Sequence, residues 1–268
     1  MIAIMDWGIG GIGLLSELQR QKKRLPLLYF SDSGFLPYGK VSASALRKRV
    51  LAVAGFLVRQ GATHLAVACN AASTVLPALG IRGIAGRIET EGGPIEVTGI
   101  IAHAVRQVRA SKSRDIGVIG GTRTIRSGIY RKVLATHSRT IRTRVAQPLS
   151  AHVEAGDLCS PEVQANVRTI LSPLKRVDAI LMACTHYPAL RPLFERTVPG
   201  VILLDPVPRM ARWVIDHFAT RTSNADTIYL TTGSPPSLRR GADVAFGHRV
   251  GIIRRIRADF ADQSWIMS

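Results

Sequence analysis

Short apolar runs alternate with longer amphipathic stretches from the first residue almost to the last. The short runs predict strands at residues 2–5, 27–31, 65–68, 95–99, 116–119, 179–183, 201–204 and 227–230. Between them the 3.6-residue pattern predicts helices at 11–23, 42–59, 101–110, 124–136, 161–171, 189–197, 207–220 and 235–246. This β/α alternation is the pattern of an α/β fold, with parallel sheets covered by helices on both faces. Such sheets bind ligands beyond the carboxyl ends of their strands. The polar, glycine-rich Thr90-Glu91-Gly92-Gly93-Pro94 reads as a loop able to join two domains.

Two of the apolar runs end alike. AVACNAAS, residues 66–73, and ILMACTHYP, residues 180–188, each place a cysteine where the apolar run stops and small polar residues begin. Cys69 and Cys184 therefore fall at the ligand-binding ends of their strands. A lone cysteine there is most simply core filling. Two of them, in similar settings, raise the prospect of one shared site between two similar halves.

Composition narrows the setting. No apolar run approaches the roughly 18 residues of a membrane-spanning helix, and MIAIMDWGIGG lacks the basic and long apolar parts of a secretory signal. Three cysteines in 268 residues form no disulfide framework, and no CxxC or His-rich tract suggests zinc. A reducing cytoplasm with free thiols is the expected location. The formal net charge is +18, with basic clusters at 20–24, 139–144 and 239–257. These are compatible with nucleic acid or another polyanion. They are also scattered and not interleaved with aromatics, and 7 of the 36 basic residues are Lys, which fits an arginine-rich solvated surface.

The N-terminus offers a competing motif. Gly8-Ile9-Gly10-Gly11-Ile12-Gly13 is a literal GxGxxG between a predicted strand and helix, and Asp32 lies about 20 residues on, where a dinucleotide fold places its ribose-binding carboxylate. Asp6 and Trp7 precede the first glycine, and a carboxylate and an indole there oppose a pyrophosphate. The alternative is a glycine-rich turn serving another ligand.

If the two halves face each other, Cys69 and Cys184 flank one small molecule. Two opposed thiols suit removal of a weakly acidic Cα proton from one face and its return on the other. One must begin as thiolate, and helix N-termini with nearby donors promote that form. Asn70 and Thr185, which follow the cysteines, are suited to hold a carboxylate and to cap the next helix. His186 can assist Cys184, and Asp6 can assist Cys69. Neither a metal nor a cofactor is required.

These residues, in this order, resemble the glutamate racemases of the cofactor-independent aspartate/glutamate racemase superfamily. DWGIGG resembles the family's Asp-Ser-Gly-x-Gly-Gly, and DSGFLPYG at 32–39 its Asp-(Ser/Thr)-Ala-x-x-Pro-Tyr-Gly. ACNAAS resembles Ala-Cys-Asn-Thr-Ala-Ser, and ACTHYPAL resembles Gly-Cys-Thr-His-Tyr-Pro-Leu-Leu; TIRSGIY, HVEAG and the DP at Asp205 also match. The resemblance implies two α/β domains related by a pseudo-twofold axis, residues 1–97 with 206–268 forming one and 98–205 the other. It implies that Cys69 takes the proton from the D-enantiomer and Cys184 from the L-enantiomer, supported by Asp6, Glu154 and His186. Trp7, Tyr38, Gly39, Asn70, Ala71, Thr124 and Thr185 would surround the substrate, with Tyr38 and Gly39 at its side-chain carboxylate. A cytoplasmic homodimer supplying D-glutamate for peptidoglycan is implied as well.

The chain departs from the pattern at three contacts. Trp7 stands where the family has Ser, Ala71 where it has Thr, and Gly121 where it has Thr, with Thr122 displaced by one. Each lost hydroxyl removes a partner worth about 1–3 kcal/mol in a site built to hydrogen-bond its ligand. The acid–base residues are all retained. The alternatives are a racemase with a different amino-acid substrate, or a non-catalytic binding or regulatory relative, for example one acting on DNA gyrase.

Overall fold

The computed structural model describes residues 1–22, 24–219, 223–258 and 265–267. The chain begins β1 (Ile2–Asp6), α1 (Ile12–Gln21), β2 (Leu27–Ser31), α2 (Ala43–Arg59), β3 (His64–Val67), the short α3 (Asn70–Ser73), β4 (Ala85–Thr90), β5 (Gly93–Gly99) and α4 (Ile100–Ala110). It continues β6 (Asp115–Gly120), α5 (Thr122–Arg126), α6 (Ile129–Leu134), β7 (Thr140–Val145), α7 (Gln147–Ala155), α8 (Pro161–Leu171), β8 (Ala179–Ala183), α9 (Arg191–Thr197) and β9 (Ile202–Leu204). It ends α10 (Val207–Phe218), β10 (Ile228–Thr231), α11 (Pro235–Phe246), β11 (Ile253–Ala258) and β12 (Trp265–Met267).

Two sheets result. The first runs β12-β11-β10-β2-β1-β3-β5-β4, parallel from β11 to β5 and antiparallel at its two edge pairs. The second runs β7-β6-β8-β9 and is parallel throughout. The fold is thus α/β, as the alternation predicts. The central strands β1, β2, β3, β6 and β8 are buried almost end to end, which is why they read as continuous apolar runs. One apolar cluster joins a face of the first sheet, through Ile4, Ile12 and Leu15, to the second sheet, through Val118 and Leu181. A separate cluster fills the opposite face under α2. There Leu46, Val50, Val53, Ala54 and Leu57 form the helix's inward stripe, and Ser42 caps its start by accepting from Ala45 N at 3.1 Å.

Register decides where the chemistry gathers. Asp6 pairs with Ser31, and Met5 with Val67, so Asp6, Asp32 and Cys69 leave the first sheet at one level. Gly120 pairs with Ala183, so Gly121 and Cys184 leave the second sheet together.

Several expectations need correction. Residues 90–94 do not join two domains; they are the hairpin between β4 and β5. There Thr90 pairs with Gly93, Gly93 takes φ +110°, and Gly92 N donates to Thr90 Oγ1 at 3.2 Å. The single helix at 124–136 is two, because Gly128 turns left-handed at φ +67° between α5 and α6. The helix at 189–197 begins only at Arg191, after a 3-10 turn at Tyr187–Leu190. Strands β4, β7, β11 and β12 and helix α7 carry too little apolar contrast to be read in advance; most of β7 is exposed. The expected ends of two helices, Lys23 and Thr220, lie outside the described residues. Among the described residues, no helix is long and apolar enough to cross a membrane.

Candidate active site

The carboxyl ends of the two sheets enclose a cavity of about 70 Å³. One water needs about 10–15 Å³ on the same measure, so the space suits a ligand the size of a single amino acid. Asp6, Trp7, Tyr38, Gly39, Cys69, Asn70 and Ala71 line it from the first sheet, and Thr124, Cys184, Thr185 and His186 from the second. Of the twelve catalytic and substrate-binding residues that the racemase resemblance implies, only Glu154 is not on the wall, and it stands directly behind His186.

Cys184 and Cys69 sit in unlike surroundings. Cys184 Sγ lies 3.5 Å from His186 Nδ1, and His186 Nε2 lies 2.6 Å from Glu154 Oε1. The same Glu154 oxygen accepts from Ile9 N at 2.8 Å. Burial would lower the imidazole's pKa, but the adjoining Cys184 and Glu154 outweigh it and hold His186 well above its usual range. The arm Glu154–His186–Cys184 therefore favours an imidazolium beside the Cys184 sulfur. Cys69 is buried and adjoins Asp6. Burial, then the Asp6 charge, push its thiol well above the ordinary value, although the Ala72 amide at the start of α3 pulls the other way. The helix N-terminus thus does not prevail at Cys69, and its proton is firmly held. Asp6 is itself raised by burial, an effect reduced by His186 and by hydrogen bonds from Thr185 Oγ1 and Trp7 N, each at 2.7 Å.

The two residues following the cysteines differ from expectation. Neither caps a helix: α3 has no side-chain cap, nor has the 3-10 turn after Thr185. The Thr185 hydroxyl is spent on Asp6 and ties the two sheets together. Asn70 Oδ1 accepts from Tyr130 at 2.6 Å, while its Nδ2 is buried with no partner among the described residues. A buried amide donor on a cavity wall is costly unless a ligand acceptor meets it.

The glycine motif serves this site rather than a dinucleotide. A Cβ on Gly8 would strike the Glu154 carboxylate, and one on Gly10 would strike Thr185 and His186. The space a pyrophosphate would need is filled by Glu154, Thr185 and His186. Asp32 is fully buried and bound by Arg49 at 2.5 and 2.8 Å, by Tyr38 OH at 2.6 Å and by Thr232 Oγ1 at 3.0 Å. It fastens the loop that carries Tyr38 and Gly39, and offers nothing to a ribose. Arg49→Met leaves that carboxylate buried without its cation, and is expected to cost about 3–5 kcal/mol of stability, measurable as a lower urea midpoint.

Three wall residues lie outside every segment the sequence reading named: Arg123, Gln147 and Ser150. Gln147 Oε1 accepts from Thr122 N at 3.0 Å, and lies 3.0 Å from where a Cβ would stand on either Gly39 or Gly121. The side chain missing at 121 is what makes room for Gln147. Proline at the second position of α7 is a helix-start signal that would have exposed this segment. Nothing in the sequence pattern singles out Arg123. Trp7 is held by its Nε1 donating to Phe35 O at 3.0 Å, so the indole forms a fixed part of the wall.

Two thiols on one amino-acid-sized cavity, each joined to its own carboxylate, define an acid–base site between α/β layers. The sequence profile of the Asp/Glu/hydantoin racemases matches residues 12–213. A glutamate racemase of Pseudomonas entomophila is 33% identical over 250 residues, covering 89% of this chain and 91% of its own. One from Thermus thermophilus is 32% identical over 263 residues, covering 95% of each. The Thermus thermophilus glutamate racemase solved with β-chloro-D-alanine superposes with a TM-score of 0.81 at 31% identity over 96% of both chains. A glutamate racemase isoform from Bacillus anthracis superposes at 0.83 with 26% identity over 97% of both. The chain belongs to the Asp/Glu/hydantoin racemase family and is an isomerase, an amino-acid racemase.

Proposed function

We propose that the protein interconverts L- and D-glutamate by proton transfer at Cα between Cys184 and Cys69. The observation that carries this is the pair of unlike cysteines on one small cavity, one beside an imidazolium and one a firmly protonated thiol. The substrate's α-carboxylate takes the unpaired Asn70 Nδ2 donor. With L-glutamate bound, Cys184 thiolate accepts the Cα proton, and His186, backed by Glu154, steadies the charge relayed through that arm. Cys69 delivers its proton to the opposite face, and Asp6 beside it steadies that thiol's exchange. The product is D-glutamate, with Cys184 now thiol and Cys69 thiolate; the reverse reaction starts from that state. Glutamate is favoured because the curated relatives that match over nearly the whole chain are glutamate racemases.

In this scheme residues 1–97 with 206–268 form one body and 98–205 the other, the substrate lying between them. A cytoplasmic homodimer working without a cofactor and supplying D-glutamate for peptidoglycan completes the proposal. The test is incubation of the purified protein with L-glutamate and with a panel of other L-amino acids, with no cofactor added, followed by chiral chromatography. D-Glutamate is expected to form fastest. A different preferred enantiomer pair would replace the substrate and keep the chemistry. No enantiomer formed from any member would remove the catalytic proposal.

A further inference from the structure

The cavity wall also carries a cation, Arg123, that no carboxylate among the described residues neutralises. Arg123, on α5 of the second-sheet segment, reaches across the cavity mouth to the loop after β2. Its Nε donates to Tyr38 O at 3.1 Å, and its Nη2 donates to Val41 O. Both acceptors are neutral carbonyls. Among the described residues no carboxylate lies within ion-pair distance of Arg123, although it borders the cavity directly. Among the described residues its Nη1 makes no hydrogen bond. The other cation on the wall, His186, is already engaged by Cys184 and Glu154. Arg123 is thus the one cavity cation left uncompensated among the described residues.

The surroundings of Arg123 are built to hold it in place. Two carbonyl contacts, from Nε and Nη2, occupy one edge of the guanidinium and fix its plane, which leaves its Nη1 donors unspent among the described residues. Gln147 closes the adjacent wall, wedged between Gly39 and Gly121, with its Nε2 donating to Ser150 Oγ at 3.0 Å. Among the described residues that line the cavity, Asp6 is the one acidic side chain and adjoins Cys69; Asp32 nearby is saturated by Arg49 and Tyr38. A planar donor fork with one edge unspent matches a carboxylate, which can accept two parallel hydrogen bonds from it.

Resting on the glutamate proposal above, we infer that Arg123 receives the distal acidic group of a dicarboxylic amino acid and sets the preference for glutamate over its neutral amide. Arg123 then adds a charged contact to a wall that lacks the three hydroxyls at Trp7, Ala71 and Gly121. The substrate spans the cavity with its α-carboxylate at Asn70, its Cα between the two sulfurs, and its side-chain carboxylate against Arg123.

The experiment compares wild type, Arg123→Gln and Arg123→Lys on D-glutamate and D-glutamine, by racemisation rate and by calorimetric binding. Loss of a charge-assisted contact is expected to lower kcat/KM and affinity for glutamate by about 10- to 100-fold in Arg123→Gln. Values for glutamine should change little, and Arg123→Lys should recover part of the glutamate loss. A tether that merely positions the 37–41 loop would lower both ligands alike. An unchanged glutamate-to-glutamine ratio in Arg123→Gln overturns the inference while leaving the racemase proposal intact. Glutamate binding that depends on Arg123 in a wild-type protein that racemises nothing supports the inference and overturns the racemase proposal instead. Absence of glutamate binding by wild type overturns both.

Discussion

Replacing Cys69 or Cys184 with alanine lowers kcat/KM for racemisation by about 10³-fold or more, in both directions and by the same factor. The size follows from general acid–base catalysis, where one positioned group contributes about 10²–10⁴-fold. The symmetry follows because enantiomers have an equilibrium constant of one, so no variant can favour one direction in kcat/KM. What separates the two variants is the half-reaction each retains. With Cys69 gone, Cys184 still faces the L-enantiomer, so L-glutamate exchanges its Cα hydrogen in heavy water without inverting. With Cys184 gone, D-glutamate alone does so. Both substitutions remove a sulfur from a wall position and leave the Asp6–Thr185 tie between the sheets untouched, so circular dichroism should show folded protein in each case. Exchange of both enantiomers by a single-cysteine variant would show that one thiol reaches both faces.

His186→Asn is expected to give the next largest loss, about 10²-fold in kcat/KM at neutral pH. The loss should depend on pH in a defined sense. His186 is held above the ordinary imidazole value by Cys184 and Glu154 against the opposing effect of burial. A thiol without a cationic neighbour is ionised more as pH rises, so the gap between variant and wild type should narrow on the alkaline side. The same raised value enters stability. Folding favours the proton on His186, so its contribution is complete below the unfolded imidazole pKa of about 6.5 and fades as pH rises through the higher folded value. In His186→Asn that alkaline loss of stability should disappear from urea titrations. A deficit of equal size at every pH would assign His186 a purely positioning role.

The parts of the molecule that were legible in the sequence are those where burial dictates residue type. β1, β3, β6 and β8 are buried almost end to end, so their apolar runs stand out, as do the cysteines that follow β3 and β8. The exposed edge β7 and the short α3 lack that contrast. Within the site, residues with intrinsic reactivity could be picked out: Asp6, Cys69, Cys184 and His186. Partnerships between distant segments could not. Thr185 read as a carboxylate holder, yet its hydroxyl is taken by Asp6, 179 residues away. Gly8 and Gly10 read as phosphate-binding glycines because the pattern records only that a side chain is missing. What occupies the freed space is Glu154 with Thr185 and His186, which come from elsewhere in the chain. Gln147 and Arg123 matter through packing against Gly39, Gly121 and the Tyr38 carbonyl, and no local pattern encodes that.

Two opposed cysteines acting as separate acid and base are the central claim, and brief incubation of L-glutamate with the wild-type protein in heavy water tests it most directly. Mass spectrometry after chiral separation is expected to find deuterium at Cα of the newly formed D-glutamate, while the recovered L-glutamate still carries protium. Deuterium appearing in both enantiomers at equal rates, or in neither, would contradict it.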